Sequence, residues 1–301
     1  MDKLLVILGP TASGKTTFAV KIADRFDGEI ISADSRQIYK GMDIGTGKDL
    51  HEYKLEKKSI QYHLIDILNL DTDYSVFQFK NDFHNIYKKL NKKNKTSILC
   101  GGTALYIDSI LFNYDMSQIA PSKKMREELE ELSIEQLKDK LLSINKELYD
   151  KNFHITKRRI IRALEISNSQ NSTINPCINK AINNPLVIGM DVDREVILAN
   201  IKNRLLQRIE EGMIEEVQGL IDNGMSLDRL KYFGLEYKFI GQYIFNEMSY
   251  DDMVSTLNTA INRFSKRQMT FFRRMEKWGI KIHWIKPKSI DKAIKLVNNY
   301  L

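Results

Sequence analysis

Cysteine is nearly absent from this chain of 301 residues: Cys100 and Cys177 are the only two. A disulfide framework and a cysteine-based zinc site are both excluded, and free thiols in a reducing compartment are expected. The five histidines (His51, His63, His84, His154, His283) are scattered, with no pair at metal-ligand spacing. No apolar run approaches the ~20 residues that span a bilayer. Met1-Asp2-Lys3 runs directly into an apolar segment, which leaves no leader pattern. The expectation is a cytoplasmic protein with no membrane partner. No internal repeat is evident.

What is present is an ordinary globular composition, 43% hydrophobic and 28% charged, long enough for one large domain or two smaller ones. Short apolar runs alternate with helical periodicity, the pattern of a parallel α/β sheet. Strands are expected near Leu4–Leu8, Glu29–Ser32, Tyr62–Ile65, Ser97–Cys100, Leu186–Met190 and Lys281–Ile285, with a helix over Val76–Asn91. From about Asp115 to Asn184 the strand signal disappears. Charged amphipathic helices are expected there over Lys123–Leu132, Ile134–Ser143 and Thr156–Ser167, followed by a polar exit loop, Asn168–Thr173. Three segments follow: a core over 1–114, a helical insertion over 115–185, and a second core part over 186–301. In that last part Asp193 is expected to cap a helix that Gly212 breaks, and Asp251 to about Lys277 reads as another helix.

The strongest local motif is Gly9-Pro10-Thr11-Ala12-Ser13-Gly14-Lys15-Thr16, directly after the apolar run ending at Leu8. It fits the P-loop pattern in the strand–loop–helix context that the pattern requires. Backbone N–H groups at a helix start and the Lys15 ammonium favour a ligand with several anionic oxygens. Thr16 can place its hydroxyl on a divalent metal such as Mg2+.

Asp34 follows the strand Glu29–Ser32 and should lie beside the phosphate loop, because ligands gather at the carboxyl ends of parallel strands. It can be a turn residue bonding its own backbone, an outer group of a metal, or a general base. The strand Ser97–Cys100 ends in Gly101-Gly102-Thr103, where an ATPase would carry Asp or Glu. That missing acid weighs against nucleotide hydrolysis. The glycines allow close backbone approach, and Thr103 offers a small hydroxyl or simply a tight turn. Asp66 is the only strand-terminal acid available as a substitute, and nothing local supports that role.

The net charge of +7 is unevenly placed. Arg263, Lys266, Arg267, Arg273, Arg274, Lys277 and Lys281 crowd one late segment among aromatics, the footprint of a nucleic-acid backbone partner. For Phe271 and Phe272 the alternatives are base stacking and core packing, with one of the two expected in the core. Tyr39 is a further stacking candidate; Tyr237 and Trp278 are expected in the core.

Taken in order, the P-loop, Asp34-Ser-Arg-Gln-Ile-Tyr39, His63-Leu-Ile-Asp-Ile67, Gly101-Gly-Thr-Ala-Leu-Tyr106, Arg159-Ile-Ile-Arg-Ala-Leu-Glu165 and Lys266-Arg-Gln-Met-Thr-Phe-Phe-Arg-Arg274 resemble the bacterial tRNA dimethylallyltransferases. The resemblance spans nearly the whole chain. It implies an α/β P-loop core with a helical insertion. It also implies transfer of a five-carbon group from dimethylallyl diphosphate to N6 of the adenine 3′ of the anticodon. By the same resemblance the P-loop residues Gly9 to Thr16 hold the donor diphosphate with magnesium near Thr16. Asp34 is the general base, and Arg204 helps hold the diphosphate.

The tRNA contacts it implies are Asp34, Ser35, Arg36, Gln37, Thr103 and Arg126, then Arg158, Arg159, Ile160, Ile161 and Arg162. They continue with Lys231, Tyr232, Phe233, Gly234, Leu235 and Glu236, and end with Lys266, Arg267, Gln268, Met269, Thr270, Phe271, Phe272 and Arg273. The partner is then the anticodon stem-loop of a tRNA, and the enzyme is expected to act as a monomer.

The chain departs from the family pattern twice. Phe233-Gly-Leu-Glu-Tyr237 replaces the usual Gly-Tyr-(Lys/Arg), and Ile155-Thr-Lys-Arg158 replaces Asn-Asp-Pro-Gln. Thr156 must then cap the helix that follows. A free-adenylate prenyltransferase, a small-molecule kinase and a non-enzymatic RNA-binding module remain the rival readings.

Overall fold

The computed structural model describes residues 3–56, 58–112, 122–152, 156–168, 182 and 184–301. The chain divides into two compact units, Met1–Asn113 with Lys180–Leu301, and Tyr114–Asn179. His154, Ile155, Cys177 and residues 169–173 of the expected exit loop lie outside the described residues.

In the first unit the strands are β1 (Leu4–Leu8), β2 (Gly28–Ser32), β3 (Tyr62–His63), β4 (Thr96–Gly101), β5 (Leu186–Met190) and β6 (Ile282–Ile285). They form one sheet in the order β3-β2-β4-β1-β5-β6, with every pairing parallel. Helices α1 (Lys15–Arg25), α2 (Val76–Lys92) and α3 (Ala104–Leu111) connect its first half, together with a one-turn 3₁₀ helix, Leu50–Tyr53.

β1 and β5 are buried at every position. Such strands read as continuous apolar runs because helices cover both faces of a parallel sheet. β3 is shorter than the expected Tyr62–Ile65. Leu64 and Asp66 take left-handed backbone angles (φ 62° and 56°) that end the strand, and the turn brings Asp66 to Lys48.

The second unit holds α4 (Lys123–Glu130), α5 (Ile134–Ile144), α6 (Lys146–Asn152) and α7 (Lys157–Asn168). Ser133 and Gln136 form a reciprocal capping box at the start of α5. Thr156 stands just before α7, and its carbonyl accepts from the N–H groups of Arg159 and Ile160. A small core of its own, Leu129, Leu137, Leu141, Ile160, Ile161, Ala163 and Leu164, closes the unit.

After β5 the first unit continues as α8 (Arg194–Glu210), α9 (Met213–Asp222), α10 (Leu227–Phe233), α11 (Leu235–Ile244), α12 (Tyr250–Lys277) and, beyond β6, α13 (Ile290–Tyr300). Asp193 stands at the N-cap of α8 but makes no side-chain capping bond. Gly212 (φ 100°) separates α8 from α9 as expected. The 28-residue α12 starts one residue before Asp251, where Ser249 Oγ accepts from the Asp252 N–H at 3.1 Å.

Candidate active site

The loop between β1 and α1 carries its anion-binding geometry in the backbone. Gly14 has φ 76° and Ala12 φ 61°, a left-handed pairing that lets successive N–H groups face one point at the start of α1. Three elements distant in sequence hold this loop. Gln268 of α12 accepts from the Thr11 N–H at 2.9 Å and donates to the Gly102 carbonyl at 2.7 Å, tying the P-loop to the end of β4. From α8, Asn200 Nδ2 donates to the Ala12 carbonyl at 3.1 Å and Arg204 donates to Thr11 Oγ1. Asn200, Arg204 and Arg208 recur at intervals of four, which sets them on one face of α8.

The Gly-Gly-Thr end of β4 is a packing solution. A Cβ on Gly101 would stand 2.2 Å from the Ala33 carbonyl oxygen, and one on Gly102 2.5 Å from Gln268 Nε2. Thr103 Oγ1 then accepts from the Ser35 N–H at 3.0 Å and fixes the loop that carries Asp34. Asp34 Oδ1 accepts from the Arg36 N–H at 2.9 Å, so the turn role does apply. That bond occupies one carboxylate oxygen and leaves the other for chemistry.

Two cavities meet at these residues. One, of about 370 Å³, is lined by the P-loop, Thr16, Asp34, Glu52, Cys100 and Arg204. The other, of about 480 Å³, is lined by Asp34, Thr103, Arg36, Lys231, Glu236, Phe264, Arg267 and Phe271. Thr11, Lys15, Asp34, Thr46 and Arg204 line both. Each volume lies within the range of small-molecule clefts.

The electrostatics favour an anion on the P-loop side. Burial lowers the pKa of Lys15 and Arg204 adds to that shift, while Cys100, Asp34 and Glu52 oppose it. Arg204 is pushed down to about 10 by burial and by the Arg208 charge beside it. Two half-buried cations lining one cavity gain from a multiply charged ligand between them. Among the described residues, no group of three or more His, Cys, Asp or Glu side chains could hold a metal. A cation here would need ligand oxygens as well as Thr16, which is how Mg2+ is ordinarily bound beside phosphates.

Of the remaining candidates, Lys266, Arg267, Thr270 and Arg273 are exposed on α12, Lys231 is exposed on α10, and Arg158 and Arg159 are exposed on α7. Ser35, Arg36, Tyr232, Gly234, Leu235, Met269 and Phe271 are half-buried. Gln37 bridges Ser32 Oγ and the Gly47 carbonyl, so its amide serves the loop. Arg126 and Arg162 both donate to the buried Glu165, Arg126 through two bonds of 2.8 and 3.0 Å.

Several expected contacts are core residues instead. Ile160 and Ile161 face the insertion's own core and Phe272 lies in the main one, while Phe233 is buried in the main core and also lines the second cavity. Gln268 is buried, with both ends of its amide engaged. Tyr39 does not stack on a ligand: it is buried with its ring edge-on to Phe233 at 4.9 Å. Tyr237 is buried as expected, its hydroxyl donating to Glu216 at 2.6 Å. Trp278 is not: it is 49% exposed, with the Arg274 guanidinium 4.5 Å above its ring. Asp66 serves Lys48, a buried ammonium that also donates to the Tyr39 carbonyl and Asp43.

Sequence reasoning missed Glu52, Asn200 and Arg208. The four-residue spacing on α8 would have found the last two. Glu52, on a single helical turn between β2 and β3, carries no motif.

Comparisons with known proteins agree on one family. The family model described as IPP transferase matches residues 37–275. A protein named tRNA dimethylallyltransferase 1 from Azobacteroides pseudotrichonymphae is 48% identical over 98% of this chain and 97% of its own. A tRNA dimethylallyltransferase 2 from Shewanella sediminis is 45% identical over 94% of this chain and 92% of its own. Among solved structures, a tRNA isopentenylpyrophosphate transferase from Bacillus halodurans superposes with a TM-score of 0.72 at 30% identity, covering 100% of this chain and 97% of the other. A eukaryotic dimethylallyltransferase acting on tRNA shares the fold, with a TM-score of 0.82 at 20% identity over 99% of this chain and 79% of that one.

Proposed function

Since the chain belongs to the IPP transferase family, we propose that it transfers a dimethylallyl group from dimethylallyl diphosphate to N6 of the adenine 3′ of the anticodon in tRNA. The observation that carries this reading is the pair of cavities meeting at Lys15, Asp34 and Arg204. A transfer between two substrates needs one chamber for a diphosphate and another for a base, with the reacting atoms at the junction.

The donor diphosphate lies against the N–H groups of the P-loop, between Lys15 and Arg204. Thr16 would hold a Mg2+ ion there, which would supply neutralisation of the diphosphate oxygens and so a better leaving group. The adenine N6 enters from the side of Thr103 and Phe271. As the N6–carbon bond forms, the allylic C–O bond breaks and its electron pair leaves on the diphosphate. The N6 proton passes to Asp34, which keeps positive charge from accumulating on the nitrogen. Lys15 and Arg204 face the oxygen where negative charge develops, so they stabilise the transition state more than the ground state.

An adenine stacked in an anticodon loop cannot reach this junction, so it must be flipped out. Phe271 and the cations Arg36, Lys231 and Arg267 line the second cavity, offering a stacking face and phosphate partners. One chain carries both cavities, which supports action as a monomer. No helix of the described residues is long and apolar enough to cross a membrane.

The test is incubation with radiolabelled dimethylallyl diphosphate and either tRNA or free AMP. Label in tRNA, at a single adenosine of the anticodon loop, is the expected outcome. Label in AMP alone would assign a free-nucleotide prenyltransferase instead.

A further inference from the structure

The end of β4 lacks the acid that would steady a cation beside a P-loop, and β4 cannot carry one there. The Gly101 backbone packs so closely on Ala33 that even a Cβ collides. The P-loop cavity nevertheless contains three carboxylates, Asp34, Asp49 and Glu52. Two are engaged. Asp34 Oδ1 accepts from the Arg36 N–H, and Asp49 Oδ2 accepts from Arg208 at 2.9 Å. Glu52 differs: its Oε2 is sealed from solvent and has no hydrogen-bond partner in the protein.

A buried carboxylate oxygen left without a donor costs stability and needs a reason. The turn that carries it is firmly held. The Glu52 N–H donates to the Asp49 carbonyl at 2.9 Å, and the next residue, Tyr53, is buried with its ring 4.8 Å from that of Tyr62. Glu52 is also an electrostatic neighbour of Lys15, Cys100 and Arg204. Glu52 lines the P-loop cavity, within electrostatic reach of the anion cradle.

We propose that Glu52, together with the Thr16 hydroxyl, anchors the hydrated divalent cation of the P-loop cavity, in place of the acid that β4 cannot carry. A small hard cation keeps several waters and takes one or two protein oxygens plus diphosphate oxygens. Glu52 and Thr16 line the same cavity, so a carboxylate with no partner in the protein is available there to complete such a set. The inference rests on the reading that this cavity takes a diphosphate.

The experiment measures Mn2+ and inorganic diphosphate binding by calorimetry, with Mn2+ uptake also followed by electron paramagnetic resonance. It compares the full-length protein with Glu52→Gln and Glu52→Asp. With diphosphate present, Glu52→Gln is expected to weaken Mn2+ binding by about 10- to 100-fold. Metal-free diphosphate should bind as well or better, because a negative charge beside Lys15 is gone. Glu52→Asp keeps the charge but withdraws the oxygen, so it should lose Mn2+ affinity with metal-free diphosphate binding unchanged. Wild-type Mn2+ affinity in either variant overturns the proposal, and if diphosphate alone then binds more tightly to Glu52→Gln, the residue is a counter-charge to Lys15. Failure of the unaltered protein to bind diphosphate at all would remove the underlying reading too.

Discussion

The two cavities that meet at Asp34 are built in opposite ways. The P-loop cavity takes its anion cradle from one continuous segment whose backbone conformation comes with its glycines, while Arg204 of α8 and the loop after β2 add charged groups to its wall and α12 braces it. The second cavity draws on six separated stretches: the P-loop, the loop after β2, the β4 end, α8, the α10–α11 junction and α12. The first depends on local geometry, which a motif encodes. The second depends on which face each helix turns inward, which packing decides. Mutations should therefore act sharply and chemically in the first, and through distinguishable structural and binding effects in the second.

The largest expected effect falls at the junction. Asp34→Ala should lower turnover by about 10²- to 10⁴-fold while tRNA affinity, measured by filter binding, persists; near-normal turnover would remove Asp34 as the base.

Neighbours on α12 separate the two kinds of role next. Phe272→Ala empties a fully buried site and should cost about 3–5 kcal/mol of stability in a denaturant titration. Phe271→Ala should leave stability close to unchanged and weaken RNA binding by about 1–3 kcal/mol. Reversed results would mean that the ring in the cavity wall is not the one that meets the base.

In the insertion, burial alone would raise the Glu165 pKa, but hydrogen bonds from Arg126, Arg162 and the Ser122 N–H hold it below the ordinary carboxylate value. A folded-state pKa below the unfolded one means that the stabilisation is present at neutral pH and lost as pH falls through the folded value. Glu165→Gln should destabilise the insertion by about 3 kcal/mol at pH 7, and the difference from the unaltered protein should shrink as pH drops below about 4. A pH-independent difference in melting temperature would assign the effect to packing.

The smallest change is expected from Lys266→Ala, an exposed cation on α12. It should weaken tRNA binding uniformly and reduce the slope of log affinity against log salt by about one unit. An unchanged slope would place Lys266 off the RNA path.

Much of the fold was legible because its signals are local. Six apolar runs announced six strands, and Gly212 announced the break between α8 and α9. β3 was read too long because a left-handed turn at Leu64 leaves no mark in an apolar run. At the site, the P-loop and Asp34 were legible. Ile160, Ile161 and Tyr39 turned out to be packed in the core because a motif records residue type and not the direction of a side chain. Gln268 shows the same limit: placed by motif among RNA contacts, it holds the P-loop to β4.

The sequence by itself determined a parallel α/β core, a phosphate cradle, a helical insertion and a basic-aromatic helix. Hydrophobic period and loop glycines are properties of neighbouring residues, so these features are written in order along the chain. Only the tertiary structure decided that Gln268 ties the P-loop to β4, that Phe271 and not Phe272 lines a cavity, and that Glu52 lines the P-loop cavity with an oxygen unengaged. Each of these depends on close packing between segments tens to hundreds of residues apart, where one helix face or one carboxylate is selected by what the rest of the core leaves room for.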